Sequence, residues 1–211
     1  MMISKLHEVP ERISKYCAAT SGYAWPTYDI DNNPDLLTAT DLLSPALLSY
    51  PIKSKYLNEM FREPARDEGL SGNSYFDLRV ALERFVKATS AYTSAFELWK
   101  LSGPETSQEW KLFGTALNTS KTTWGLSTVA ITKILHRKRP ELVPLVDRRV
   151  RAFFGRRKYE DDRLFQDIHD FVNTHKDQLD EWRKPYSLQN GNLMSRLRVL
   201  DIAIWMQPER L

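Results

Sequence analysis

One carboxylate, Asp147, stands in the middle of the most basic stretch of this chain, "WGLSTVAITKILHRKRPELVPLVDRRVRAFFG", Trp124–Gly155. Between Lys121 and Lys158 there are eleven Lys and Arg against two acids, Glu141 and Asp147, a local excess of nine positive charges. The remainder holds 19 basic and 25 acidic residues, so a net charge of +3 conceals a basic band on a mildly acidic body. An acid so placed can stabilise developing positive charge or orient and deprotonate a water, while a basic band is the usual electrostatic footprint for a phosphate backbone. The plainer alternatives are a solvated basic face and an ordinary helix cap, since Asp at an N-cap is worth about 1 kcal/mol.

Helices must position these residues, because no stretch alternates with strand period for long. Helical spacing marks Pro10–Ala19, Thr38–Tyr50, Lys53–Arg62, Tyr75–Leu101, Ser107–Asn118, Asp161–His175 and Leu193–Met206. Thr38 with Asp41 three residues on reads as a variant of the capping box. The breaker Ser102–Pro104 parts two of these segments, and Gly22–Pro34 reads as an aromatic-rich loop. Within the basic band, Leu126, Ala130, Ile131, Ile134 and Leu135 form one helical face. Gly125 supplies a sharp turn before it, and Ser127 or Thr128 can cap it. Pro140 and Pro144 then forbid its continuation, and a new helix starts near Asp147. A helix entered through a tight glycine turn leaves backbone N–H groups free at its N-terminus, which favours anions.

Composition narrows the class. With 211 residues, 42% hydrophobic and 11% aromatic, the chain suits a single compact all-α domain over residues 1–211, with no repeat or interdomain linker. One cysteine, Cys17, excludes an internal disulfide framework and a Cys-rich metal centre. Histidines 7, 136, 169 and 175 show no metal spacing. No apolar run approaches the roughly 20 residues that span a bilayer, and no signal-peptide core is visible. A cytoplasmic protein is expected.

The segment 111–155 resembles the helix-hairpin-helix DNA glycosylase superfamily, in its 8-oxoguanine-glycosylase-like branch. "WGLSTVAITKIL" is similar to the phosphate-gripping hairpin, and "PLVDRRVRAFFG" to the segment that brings the catalytic aspartate, with one extra residue between proline and acid. The resemblance implies that Gly125, Leu126, Ser127 and Thr128 hold DNA phosphates and that Asp147 is the catalytic acid. The whole chain also resembles a poorly characterised bacterial family of similar length, over Leu135–Asp147 and Leu197–Met206. Two departures stand out. Ser127 replaces the second hairpin glycine. Thr128, or Val129 under a one-residue shift, stands where bifunctional members carry a lysine nucleophile, and Lys133 is roughly 140° further around the helix. Without an amine there is no Schiff base, so a monofunctional enzyme is expected.

The resulting expectation is a DNA N-glycosylase that flips a modified or damaged base from duplex DNA and leaves an abasic site. Phosphate contacts are expected from Lys121, His136, Arg137, Lys138, Arg139, Arg148 and Arg149, besides the hairpin. For His136 the alternatives are an acid or, as the plainer reading, a polar helix end, and for His136–Arg139 a solvated loop. Tyr23, Trp25 and Tyr28 are candidates for a base-stacking wall, or loop aromatics tucked into the core. Asp201 is a pocket acid or the ion-pair partner of Arg198, three residues earlier. No metal, cofactor, membrane or protein partner is implied, although a monovalent cation at the hairpin is compatible with the resemblance. Defence against phages with modified DNA is one role such an enzyme would serve. The competing class is a non-catalytic protein that keeps the hairpin for DNA binding.

Overall fold

The computed structural model of the chain describes residues 3–31, 33–62, 74–91, 107–188 and 191–208. Among them every regular element is helical, and extended pairing is confined to an isolated bridge between Ser187 and Leu193. No helix among these residues is long and apolar enough to cross a membrane. The later part of the helix expected over Tyr75–Leu101, and the breaker after it, lie outside the described residues. The chain groups into two compact units, Asp31–Arg139 and Met1–Ile30 with Pro140–Leu211. The crossings, at residues 30–31 and 139–140, carry no run of glycine or serine that would betray them.

The middle unit contains α2 (Ala39–Leu43), a 3-10 turn (Ser44–Leu48), α3 (Ser54–Phe61), α4 (Ser74–Ala88), α5 (Gln108–Thr122) and α6 (Thr128–Lys138). At the head of α2 the Asp41 carboxylate accepts from both the Thr38 N–H and its hydroxyl at 2.7 Å, the back-reaching half of a capping box. Pro45 has no N–H to extend α2, and the span expected as one helix to Tyr50 tightens there into the 3-10 turn. Ser107 caps α5 by accepting from the Trp110 N–H at 3.0 Å. Helices α4 and α5 pack through Phe85 and Phe113, whose ring centres are 5.7 Å apart. The apolar face anticipated for α6 is buried in full, from Leu126 through Ala130, Ile131, Ile134 and Leu135.

The terminal unit contains α1 (Val9–Cys17), α7 (Arg148–Phe153), α8 (Asp161–Thr174), α9 (Lys176–Arg183) and α10 (Arg196–Trp205). Helix α9 has no counterpart in the sequence reading: it buries only Leu179, so "KDQLDEWR" offers hardly any apolar period. Helix α10 packs on α1, α7 and α9 and buries Leu197, Val199, Leu200, Ile202, Ala203 and Ile204. In the same helix Arg198 is 1% exposed. Its guanidinium reaches Asp29 at 3.0 Å, Asp201 at 2.6 Å and the Tyr16 hydroxyl at 2.9 Å, and lies over the rings of Tyr16 and Tyr28. Asp201 is therefore an ion-pair partner. Burial works against the charge of Arg198, yet Asp29, with Tyr16 and Asp201, raises its pKa above the ordinary arginine value.

Replacing Arg198 by alanine strands two carboxylates in this interior. Breaking a buried pair in that way typically costs about 3–5 kcal/mol. Urea unfolding should show a loss of that order for Arg198→Ala, against a change within about 0.5 kcal/mol for Lys184→Ala on the surface. Comparable midpoints for the two variants would refute a structural role for the cluster.

Candidate functional site

In the middle unit α5 and α6 form a helical hairpin joined by residues 123–127. Gly125 adopts φ +80°, and a Cβ there would lie 2.2 Å from the Tyr56 ring, so both the turn and the close approach require glycine. Tyr56 stacks on Tyr75, whose hydroxyl donates to the Trp124 carbonyl at 3.0 Å. Ser127, in place of the second hairpin glycine, sits at φ −80° and needs no left-handed backbone. Its hydroxyl bonds the Tyr50 hydroxyl at 2.8 Å rather than the N–H groups of α6, which no side chain of the N-cap occupies. Leu126 is buried, Thr128 half-buried, and Lys121 exposed with its ammonium on Asn118 at 2.8 Å.

The cations at the far end of α6 are placed quite differently. His136 is fully buried. Lys138, 3% exposed, reaches Asp41 at 2.8 Å, Asp31 at 3.0 Å and the Asn33 carbonyl at 2.8 Å. Arg139, 6% exposed, donates to Asp35, the Thr89 hydroxyl and the carbonyls of Pro34 and Val86. Arg137 pairs with Asp41 at 3.2 Å, and buried Lys133 donates to the Leu48 carbonyl. The expected reading of His136–Arg139 as phosphate contacts or a solvated loop thus meets a third arrangement, in which these charges face carboxylates and carbonyls of their own unit. A phosphate would have to displace those partners. Burial also takes Lys133 away from any nucleophilic role at the hairpin head.

Asp147 belongs to the terminal unit, where it is the N-cap of α7 and accepts from the Val150 N–H through Oδ1 at 3.0 Å. Its side chain is half-buried, and Oδ2 accepts from no described residue. The arginines that follow diverge. Arg148 is exposed and makes no hydrogen bond or ion pair with a described residue. Arg149 donates to the carbonyls of Trp205 and Gln207 and lies over the Trp205 ring, fastening the start of α7 to the end of α10. Arg151 pairs with Asp161. Glu141, the other acid of the band, is pushed up by burial, against the opposing pull of Arg183 at 3.1 Å.

The candidate stacking aromatics separate in the same way. Tyr28 is fully buried under Arg198, so it offers no face to a ligand. Trp25 is half-buried beside a cis peptide to Pro26. Tyr23 is 37% exposed, stacked on Tyr16 at 4.8 Å and edge-on to Trp205. Two exposed aromatics escaped the sequence reading. Trp124, 78% exposed, precedes the hairpin glycine, and Tyr159, 92% exposed, follows the last cations of the band. Their position beside glycine turns, at Gly125 and Gly155, was the available signal.

These features define, among the described residues, an all-helical architecture with a glycine-turn hairpin in one unit and a capped, incompletely bonded aspartate in the other. Residues 75–208 match the model of a family of unknown function (DUF6308), and the chain belongs to that family. The match includes the hairpin, Asp147 and both stretches on which the bacterial resemblance rests. No curated protein and no solved structure matches the chain. The glycosylase likeness accordingly rests on the hairpin and the aspartate segment.

Substituting alanine at Gly125 drives a methyl into the Tyr56 ring at a positive φ. Overpacking of this kind costs about 1–3 kcal/mol. Chemical denaturation should register that loss, and Tyr56→Ala in the same chain should return part of it. A Gly125→Ala protein as stable as wild type would show that the turn is not gripped from beneath.

Proposed function

We propose that this protein is a monofunctional DNA N-glycosylase, which removes a modified or damaged base and leaves an abasic site. The observation that carries the reading is the state of Asp147: one oxygen fixed by the Val150 N–H, the other uncommitted, with no ion-pair partner among the described residues. Most acids placed near the band's cations are neutralised by them, as Asp31, Asp41 and Asp161 are. Asp147 is not. The second hairpin helix, which ends at Lys138, nine residues earlier in the chain, offers at its start backbone N–H groups suited to phosphate.

In this reading the duplex yields one nucleotide from its stack, at a cost of a few kcal/mol. The N-glycosidic bond breaks with its electron pair going to the base, and positive charge develops on the sugar. The Asp147 carboxylate stabilises that charge and accepts a proton from the water that bonds to C1′. The base leaves with a proton from solvent. With Thr128 and Val129 at the hairpin head and Lys133 buried, no amine attacks C1′, so the strand is left uncut until alkali is added. Preference for hypermodified bases would suit such an enzyme to defence against phages that carry them.

The test is incubation with unmodified, oxidised, alkylated and phage-derived DNAs, then alkaline cleavage and mass analysis of released bases. Asp147→Asn keeps the capping oxygen, since Asn caps about as well as Asp. It should abolish release while leaving stability and DNA affinity near wild type, whereas Asp147→Ala should also lose about 1 kcal/mol of stability. Duplex binding with no base released from any DNA by the wild-type protein would leave the non-catalytic binding reading instead.

A further inference from the structure

We propose that the loop Gly155–Tyr159, between α7 and α8, is a second nucleic-acid contact, with Arg157 and Lys158 on phosphates and Tyr159 stacked on a sugar or base. The inference deepens the reading above and rests on its nucleic-acid partner. The five-residue loop "GRRKY" holds three cations, and the structure divides them by task. Arg156 turns inward and forks onto Asp167, at 2.5 and 3.0 Å. Beneath the loop Arg151 pairs with Asp161 and donates to the carbonyls of Arg157 and Lys158, both at 3.4 Å. The Arg156 N–H bonds the Arg151 carbonyl at 2.8 Å, and the Arg157 N–H bonds the Glu160 carboxylate at 2.8 Å. Gly155, at φ +66°, allows the reversal.

The backbone is thereby tied down at four points, while the side chains of Arg157, Lys158 and Tyr159 are exposed and make no hydrogen bond or ion pair with a described residue. Holding a loop rigid while leaving its cations and an aromatic ring in water is preorganisation without an internal purpose. Neighbouring acids do not cancel the charge. Glu160 faces Arg163 at 3.7 Å as well as the loop, Asp161 and Asp167 have their own arginines, and exposed Asp162 stands against exposed Arg157, Lys158 and Arg163. Interleaved cations and an open ring fit a phosphate backbone with its bases: stacking on an aromatic contributes about 1–3 kcal/mol per base, and the cations supply the salt-dependent part.

The probe is a fluorescent 20-base-pair duplex, titrated with the full-length protein across salt concentrations. Each phosphate contact contributes about 0.9 to the slope of log K against log salt. Arg157→Ala/Lys158→Ala should flatten the slope by nearly two, Tyr159→Ala should weaken binding about tenfold at unchanged slope, and Tyr159→Phe should bind as wild type. Lys184→Ala, a surface cation elsewhere in the unit, should change nothing. Thermal melts of all variants should coincide within about 0.5 kcal/mol, because the substituted side chains lie exposed on the surface. An unchanged slope in the double variant, with wild type binding normally, overturns the loop proposal and spares the proposed function. Absence of salt-dependent binding by wild type overturns both. Loss of binding to phosphatidylserine vesicles, with the duplex slope intact, would assign the loop to membranes and equally overturn the proposal.

Discussion

Taking a guanidinium or ammonium group out of water costs several kcal/mol unless a carboxylate accompanies it, and each unit of this protein is organised around that constraint. In the terminal unit Arg198 draws Asp29, Asp201 and the Tyr16 hydroxyl to a single guanidinium inside an otherwise apolar packing. In the middle unit Lys138 and Arg139 gather Asp31, Asp41 and Asp35 around the end of α6. Such clusters add little over well-packed apolar residues, but they admit few alternatives, because a misplaced partner leaves a bare charge. Arg198 bonds an acid 169 residues away, and Lys138 one 107 residues away. The loop acids Asp29, Asp31 and Asp35 are located in this manner. The burial of Cys17 next to the Arg198 cluster has a related effect, since it pushes the thiol up to about 12 and removes the chain's one cysteine as a nucleophile at neutral pH.

The same constraint explains what was and was not legible in the sequence. Local signals transfer well: Ser107 at a helix start, Gly125 at a turn, Asp147 three residues before the N–H it accepts from, Asp201 three residues after Arg198. Each involves a partner within a helical turn or a backbone conformation that few residue types adopt. The basic band fails as a surface feature for the opposite reason. Arg137, Lys138 and Arg139 meet acids 96 to 107 residues earlier, and a count of charge along the chain treats all of them as solvated. Helix α9 was invisible because it buries one leucine, and the two-unit division because neither crossing is marked by composition.

Subtracting the internally paired cations from the band changes what its charge can do. Lys121, Arg148, Arg157 and Lys158 remain exposed, a smaller set than the sequence total suggests. Long-range attraction to a polyanion scales with these, not with the eleven. The internal set serves geometry: Arg149 ties α7 to the carbonyls that end α10, and Arg151 supports both α7 and the loop after it. An arginine-rich helix start can therefore be read as scaffolding around an acid as readily as a surface for phosphate, and here individual arginines divide between the two.

That division bears on how one carboxylate could serve both stability and chemistry. A cap needs one oxygen and a fixed rotamer; general-base or electrostatic catalysis needs the other oxygen and the same fixed rotamer. The Val150 N–H orients the group without neutralising it, and Arg149, two residues after the acid, is committed instead to the carbonyls at the end of α10. Had Arg149 paired with Asp147, the carboxylate would have been a stronger structural element and a poorer reagent. Keeping the arginine elsewhere costs the fold one surface ion pair, worth at most about 1 kcal/mol, and leaves a rigidly held anion with a free edge. Glu141, the other acid of the band, is paired with Arg183, whereas Asp147 has no ion-pair partner among the described residues and keeps one oxygen open.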